Sequence, residues 1–186
     1  MNIDYSKPLS KEFIRENKDK INWNYISRYQ KISEDFIREF QNKVDWTYIS
    51  DSQNLSEYFI REFQDKVNWY YISQYQKLNE DYIIEFQDKI DWNIISFSQK
   101  LSESFIREFQ DKVNWLYISR YQILSENFII EFKNKINWES LLRKFGYKLE
   151  FKDKYKIKSD NYCSNLLDFS ELVNLTLRLI SLKAFQ

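Results

Sequence analysis

Residues 55–77 read LSEYFIREFQDKVNWYYISQYQK, and this pattern decides the fold of the chain. The same string returns with few changes every 23 residues, in six copies without insertion between Leu9 and Gly146. A fixed period this short is typical of a repeat array, in which each copy buries its apolar face by stacking on its neighbours. Each copy carries one tryptophan, and the six are Trp23, Trp46, Trp69, Trp92, Trp115 and Trp138.

The first half of a repeat predicts a short helix. In the second copy, residues 32–54, Ser33 precedes two acidic residues, which suits an N-cap hydroxyl and the positive end of a helix dipole. The apolar residues that follow lie three, four, seven and eleven positions after Ser33, which is one helical stripe. They are Phe36, Ile37, Phe40 and Val44.

The second half predicts another short helix, with Asp45 as the N-cap directly before Trp46. The positions that hardly vary between copies are the tryptophan and those three, four and seven residues after it, again a single face. Helices of roughly two to three turns are marginal alone, so stacking must hold them. The fold class is therefore predicted to be all-α, an α-solenoid of either hand with twelve short helices in six two-helix repeats.

Residues 101–109, LSESFIREF, together with Trp115 and Gln122, show the repeat type best. This string resembles the short helical repeats of uncharacterised proteins from giant DNA viruses and similar AT-rich genomes. The resemblance covers Leu9–Gly146, about three quarters of the chain. It implies a repeat architecture in a protein of a giant DNA virus or of another AT-rich genome, but it implies no particular activity.

The two ends depart from the period. Residues 1–8 are predicted to form an N-terminal arm, and residues 9–146 the solenoid. Residues 147–158 alternate apolar and polar side chains, which predicts a small β-hairpin or an extended arm. Residues 159–186 are apolar on more than one side and should cap the stack or pair with a second copy, giving a monomer or a dimer. The lysines of the predicted basic arm are Lys148, Lys152, Lys154, Lys156 and Lys158.

Composition narrows the function classes. The chain has 28 Lys+Arg and 28 Asp+Glu residues, so it has no net positive charge that would attract nucleic acid or anionic lipid. The chain has no histidine, its Cys163 stands alone, and it has no phosphate-loop or nucleophile motif. We therefore expect no enzyme activity, no cofactor and no metal. A polar N-terminus without a long apolar run leads us to expect a soluble cytoplasmic protein outside the membrane, in the host cytoplasm if it is viral.

The constant positions look structural. A glutamate and a lysine four residues apart recur in every copy, as in Glu39 and Lys43, and are expected to pair and line up as a charge ladder. The tryptophans and phenylalanines are expected in the core, and the serine at Ser50 and its equivalents should let helices approach closely. One glutamine recurs at the end of the second helix, and we expect its amide to bond the carbonyls that are left open at a helix end. The alternative is that this side chain reads one nucleic-acid base per repeat, but such a code would vary between copies and this glutamine does not. These glutamines are Gln30, Gln53, Gln76, Gln99 and Gln122.

Variable exposed positions are where a partner should bind. One and five residues after each tryptophan, the second helix should face solvent, and large apolar groups stand there in adjacent copies. We expect Tyr70, Phe97 and Leu116 to form a contiguous patch at the centre of the site. The predicted partner-binding residues are Tyr70, Gln74, Phe97, Leu116, Arg120, Arg28 and Asp51.

The variable face of the first helices is the second candidate, with Tyr58, Arg61, Ile84, Arg107 and Ile130. On the first helix of the first two copies, an acidic residue lies three positions before an arginine. We expect the two charges to neutralise each other. The sequence favours a non-enzymatic protein–protein interaction module, such as a viral factor that occupies a host protein. The alternatives are a nucleic-acid-binding solenoid that uses the lysine-rich arm, and a purely structural array.

Overall fold

The computed structural model describes residues 3–5 and 7–144. Within these residues the chain forms twelve short α-helices and no β-strand, which confirms the predicted helical-repeat solenoid. The first helices of the six repeats are α1 Lys11–Glu16, α3 Glu34–Glu39, α5 Glu57–Glu62, α7 Glu80–Glu85, α9 Glu103–Glu108 and α11 Glu126–Glu131. The second helices are α2 Trp23–Tyr29, α4 Trp46–Ser52, α6 Trp69–Tyr75, α8 Trp92–Ser98, α10 Trp115–Tyr121 and α12 Trp138–Lys144.

The chain divides into two compact units, Met1–Gln99 and Lys100–Gln186. The first unit contains α1 to α8, and α9 to α12 belong to the second. In the first unit α2 packs on α4, α4 on α6 and α6 on α8, while in the second unit α10 packs on α12. Second helices therefore lie side by side within each unit. None of the helices between residues 7 and 144 is long and apolar enough to cross a bilayer.

Both predicted N-caps are confirmed. The Ser33 hydroxyl accepts a hydrogen bond from the backbone N–H of Phe36 at 3.4 Å. The Asp45 carboxylate accepts from the N–H groups of Thr47 and Tyr48, at 2.9 and 3.2 Å. These side chains satisfy N–H groups that have no partner inside the helix, which is why a six- or seven-residue helix can begin at these residues.

The first helix ends earlier than the apolar stripe predicts. Helix α3 stops at Glu39, and its C-cap Phe40 has φ −113° and ψ 27°. The N–H groups of Lys43 and Val44 then both donate to the Phe40 carbonyl, at 2.8 and 3.1 Å, and form a tight turn. This turn keeps Phe40 and Val44 in the core and leads directly to the next N-cap. Negative φ at these caps explains why the repeat needs no glycine.

The tryptophans of the first five repeats are half-buried and lie at the rim of the core, which corrects the expectation of a tryptophan row in the core, whereas Trp138 is buried as expected. Trp46 and Trp69 are half-buried, whereas the isoleucines of the same helices, such as Ile49, are fully buried. The Trp46 ring packs at a tilt against Phe63 of the following repeat, with centroids 4.9 Å apart, and its Nε1–H donates to the Gln41 carbonyl at 3.0 Å. Each ring thus joins two repeats while its polar atom is satisfied within its own repeat.

The buried glutamines connect consecutive repeats, as the sequence predicts. The Gln76 amide donates to the carbonyls of Ser50 and Gln53, at 3.2 and 2.8 Å, which are left open at the end of α4. Its oxygen accepts from the Leu55 N–H at 3.0 Å. Gln53 and Gln99 repeat this arrangement in the first unit. One side chain therefore completes the helix end of the preceding repeat.

The serine row does more than allow close packing. The Ser50 hydroxyl donates to the Trp46 carbonyl at 2.7 Å and accepts from the Asn68 N–H at 2.9 Å. Asn68 is the N-cap of α6, in the next repeat. The Ser50 hydroxyl thus positions the start of the following second helix, and both of its hydrogen-bonding roles are occupied.

The N-terminal arm supplies the same contacts to the first repeat. The Gln30 amide donates to the carbonyls of Tyr5 and Lys7, both at 3.1 Å, and its oxygen accepts from the Leu9 N–H at 2.8 Å. The Tyr5 hydroxyl accepts from the Asn22 N–H at 2.7 Å, where later repeats use a serine. The arm therefore completes the first repeat in place of a preceding one. The predicted hairpin at 147–158 and the cap at 159–186 lie outside the described residues.

Replacing Gln76 by alanine should lower the free energy of unfolding by about 3 kcal/mol, because one buried donor and two buried carbonyls lose their partner. Urea denaturation followed by tryptophan fluorescence measures this change. Gln74→Ala on the neighbouring helical turn is the matched control, and we expect it to stay within about 0.5 kcal/mol of the parent. Equal midpoints for both variants would contradict the role assigned to Gln76.

One core position carries a hydroxyl that the other repeats lack. Tyr82 is 2% exposed and stands where the remaining repeats have phenylalanine. Its hydroxyl oxygen is buried and has no hydrogen-bond partner among the described residues. Burial raises the pKa of the Tyr82 phenol, because the phenolate would be poorly solvated there.

Tyr82→Phe should therefore raise the free energy of unfolding by about 1–2 kcal/mol, since an unsatisfied polar group is removed. The reverse change one repeat earlier, Phe59→Tyr, should destabilise by a similar amount. Because the unfolded phenol ionises near pH 10 and the buried one does not, the parent should also lose stability above about pH 10 more steeply than Tyr82→Phe. Urea midpoints between pH 7 and 11 test both statements, and a destabilised Tyr82→Phe would refute them.

Candidate partner-binding surface

The charged residues of the first helices pair between repeats. Arg15 binds Glu39 at 2.7 Å, and the same ion pair recurs one repeat later between Arg38 and Glu62 at 2.9 Å. Arg61 with Glu85 and Arg107 with Glu131 complete the series, at 2.6 and 3.0 Å. The hydrogen bond from Arg15 lowers the pKa of the Glu39 carboxyl, and Arg61 does the same for Glu85.

The prediction that a glutamate and a lysine pair within one helix is wrong. Because α3 ends at Glu39, Lys43 lies in the turn, and it binds Asp19 of the preceding repeat at 2.8 Å. Lys89 and Lys135 bind Asp65 and Asp111 in the same way, at 2.9 and 2.7 Å. The charge ladder exists, but it runs between repeats. The expected neutralisation three residues apart is confirmed by Glu12 with Arg15 and Asp35 with Arg38, at 3.9 and 2.9 Å.

The predicted second-helix positions divide into exposed and partly covered ones. Tyr70 and Phe97 are 49% and 42% exposed and lie on α6 and α8, which pack against each other in the first unit. Arg28 is exposed, whereas Asp51 and Gln74 are half-buried. In the second unit Leu116 is 48% exposed and Arg120 is half-buried.

Sequence reasoning missed the tyrosines that stand two or six positions after several of the tryptophans. Tyr25, Tyr29 and Tyr75 are exposed on α2 and α6 of the first unit. The rings of Tyr25 and Tyr29 lie 5.4 Å apart, and Tyr71 stacks on Tyr75 at 6.1 Å. The recurrence of tyrosine at these two positions is the sequence signal that could have found them.

We call the exposed rings on the second helices of the first unit the aromatic face. Arg28 lies over two rings on this side, with its guanidinium carbon 5.2 Å from the Tyr29 centroid and 5.1 Å from that of Tyr48. Cation–π contacts of this kind hold an arginine flat against aromatic rings. The aromatic face consists of Tyr25, Tyr29, Tyr70, Tyr75 and Phe97.

The second candidate face, on the first helices, offers fewer free groups. Tyr58 is 70% exposed and Ile130 is exposed, but Ile84 is half-buried. Arg61 and Arg107 are both engaged in the ion pairs to the next repeat. This face therefore carries isolated apolar side chains among neutralised charges.

No group of three or more potential metal ligands lies together in residues 3–5 and 7–144. The lysines of the predicted basic arm, at 148–158, lie outside the described residues. Comparison with protein families, curated proteins and solved structures found no match for this chain. The resemblance to helical repeats of giant DNA viruses therefore stays a prediction.

Proposed function

We propose that this protein is a non-enzymatic interaction module whose aromatic face binds another protein. The observation that carries the proposal is the presence of five exposed rings on α2, α6 and α8 of one unit, of which α6 and α8 pack against each other. Isolated exposed apolar residues are ordinary on a protein surface, whereas exposed rings on neighbouring helices, such as Tyr70 and Phe97, are typical of an interface.

The residue types support a protein partner. Tyrosine is enriched at the centre of protein interfaces because it buries a large ring, keeps a hydroxyl for hydrogen bonds and loses little side-chain entropy. Charged residues are depleted there. One and five positions after the tryptophans of α2, α4, α6 and α8, the charged residues are Arg28 and Asp51. Arg28 is also the residue that lies over Tyr29 and Tyr48.

The competing functions have weaker support. A nucleic-acid surface needs free cations, and the arginine row of the first helices is paired with glutamates. The repeated serines, the side chains nearest to a nucleophile row, have their hydroxyls committed to backbone groups, as at Ser50. We infer a viral protein acting in the host cytoplasm from the repeat resemblance and from a lone cysteine, which suits a reducing compartment.

Affinity capture from cells of the natural source tests the proposal, with quantitative mass spectrometry on three baits. The baits are the parent, Tyr70→Ala/Phe97→Ala, and Tyr58→Ala as the control on the first-helix face. We expect the first variant to lose a discrete set of proteins that the parent and the control retain. Each truncated ring should weaken binding by about 2 kcal/mol, or about 30-fold, because rings at the centre of an interface carry most of its energy.

Thermal melting of all three baits accompanies the capture, because the loss must not come from unfolding. These rings are exposed, so their removal should leave the melting temperature nearly unchanged. If the double variant keeps the parent's proteins while Tyr58→Ala loses them, the site belongs to the first helices. Identical proteins on all three baits would refute both faces.

A further inference from the structure

The first unit shows how an arginine on one second helix meets the next helix. Arg28 stands five residues after the tryptophan of α2, and Tyr48 stands two residues after the tryptophan of α4. The Arg28 guanidinium lies 5.1 Å from the centre of the Tyr48 ring. The tyrosine thus fills the space beside the arginine and supplies its stacking partner.

The second unit has the same arginine but lacks the ring. Arg120 occupies the Arg28 position on α10, and Ser140 stands on α12 where Tyr48 stands on α4. A groove of about 410 Å³ lies at this place, between α10 and α12. Pockets that take small ligands measure about 300–1,000 Å³, so the missing ring leaves a usable volume. The groove is lined by Leu116, Arg120, Tyr121, Asn137, Glu139, Ser140 and Arg143.

The lining has an uncompensated positive charge. Arg143 binds Glu139 at 2.7 Å, so these two charges neutralise each other. Within residues 3–5 and 7–144, Arg120 has no carboxylate partner, and its Nη1 is buried without a hydrogen-bond acceptor. An arginine in this condition favours a ligand that brings both a flat ring and a carboxylate. Leu116, exposed on the same rim, adds an apolar wall.

We propose that this groove binds an aromatic side chain of a partner protein that has an acidic residue beside it. The ring takes the place that Tyr48 holds in the first unit and stacks on the Arg120 guanidinium. The adjacent carboxylate compensates the charge of Arg120 through the guanidinium edge. The proposal rests on the proposed function in one respect, that the natural ligand is a protein.

Solution NMR of the full chain, ¹⁵N-labelled, tests this inference without the natural partner. The probe is a tyrosyl-aspartate dipeptide, acetylated and amidated at its ends. We expect saturable shifts of the Arg120 Nε–Hε signal and of the Leu116 and Ser140 amides. An alanyl-aspartate dipeptide and a tyrosyl-asparagine dipeptide should each bind about three- to fivefold more weakly, because one lacks the ring and the other lacks the charge.

Two variants provide matched controls. Ser140→Tyr restores the ring that α4 carries at this position, so it should fill the groove, keep or raise the melting temperature and abolish the shifts. Tyr48→Ser opens the equivalent place beside Arg28, so the Arg28 Nε–Hε signal should now respond to the same dipeptide. If Tyr48→Ser does not fold, the Ser140→Tyr comparison still decides the question.

The absence of any Arg120 response to tyrosyl-aspartate, or an equal response in Ser140→Tyr, would overturn the proposal. Shifts that appear on raising the protein concentration without dipeptide would show that a second copy fills the groove, and they would overturn it as well. Because the dipeptide replaces the partner, failure here leaves the capture experiment on the aromatic face unaffected. If the capture experiment instead finds no protein that depends on the aromatic face, the dipeptide measurement still tests the groove.

Discussion

The hydrogen bonds of one buried glutamine per repeat are the constraint on which the rest of this structure depends. Helices of six or seven residues leave most of their end groups unsatisfied and would not persist alone. Gln76 occupies two carbonyls of the preceding repeat and one N–H at the start of its own. Ser50 positions the next helix start in the same layer. Helix formation and repeat stacking are therefore one event.

This dependence decides where function can lie. The glutamine amides and the serine hydroxyls are used to join repeats, the tryptophan N–H groups are bonded within their own repeats, and the arginines and glutamates of the first helices neutralise each other. Between residues 7 and 144, large apolar side chains are exposed mainly on the second helices. There the chain places tyrosines and Phe97 in the first unit, and in the second it replaces a tyrosine by Ser140. We propose that the exposed rings of the first unit and the groove beside Ser140 in the second both serve recognition of another protein.

Much of the fold could be predicted from the sequence, because period, capping residues and apolar stripes are local signals. The two helices, the Ser33 and Asp45 caps and the role of the glutamines all followed from spacing. The ion pair of Glu39 with Arg15 could not be predicted in this way. The rule that residues four apart pair assumes a helix that continues to Lys43, whereas the helix ends at Glu39 and the chain turns at Phe40. The aromatic face was only partly predicted, since Tyr25 and Tyr75 belong to the repeating pattern and yet are exposed.

Amide hydrogen exchange tests the central claim most directly. Leu55 and Leu78 lie outside the helices, and their N–H groups are bonded to the side-chain oxygens of Gln76 and Gln99. If these bonds hold the repeats together, both amides should exchange as slowly as that of Ile72, which is buried in the middle of α6. Exchange of Leu55 and Leu78 at the rate of an unstructured peptide, with Ile72 still protected, would contradict the account.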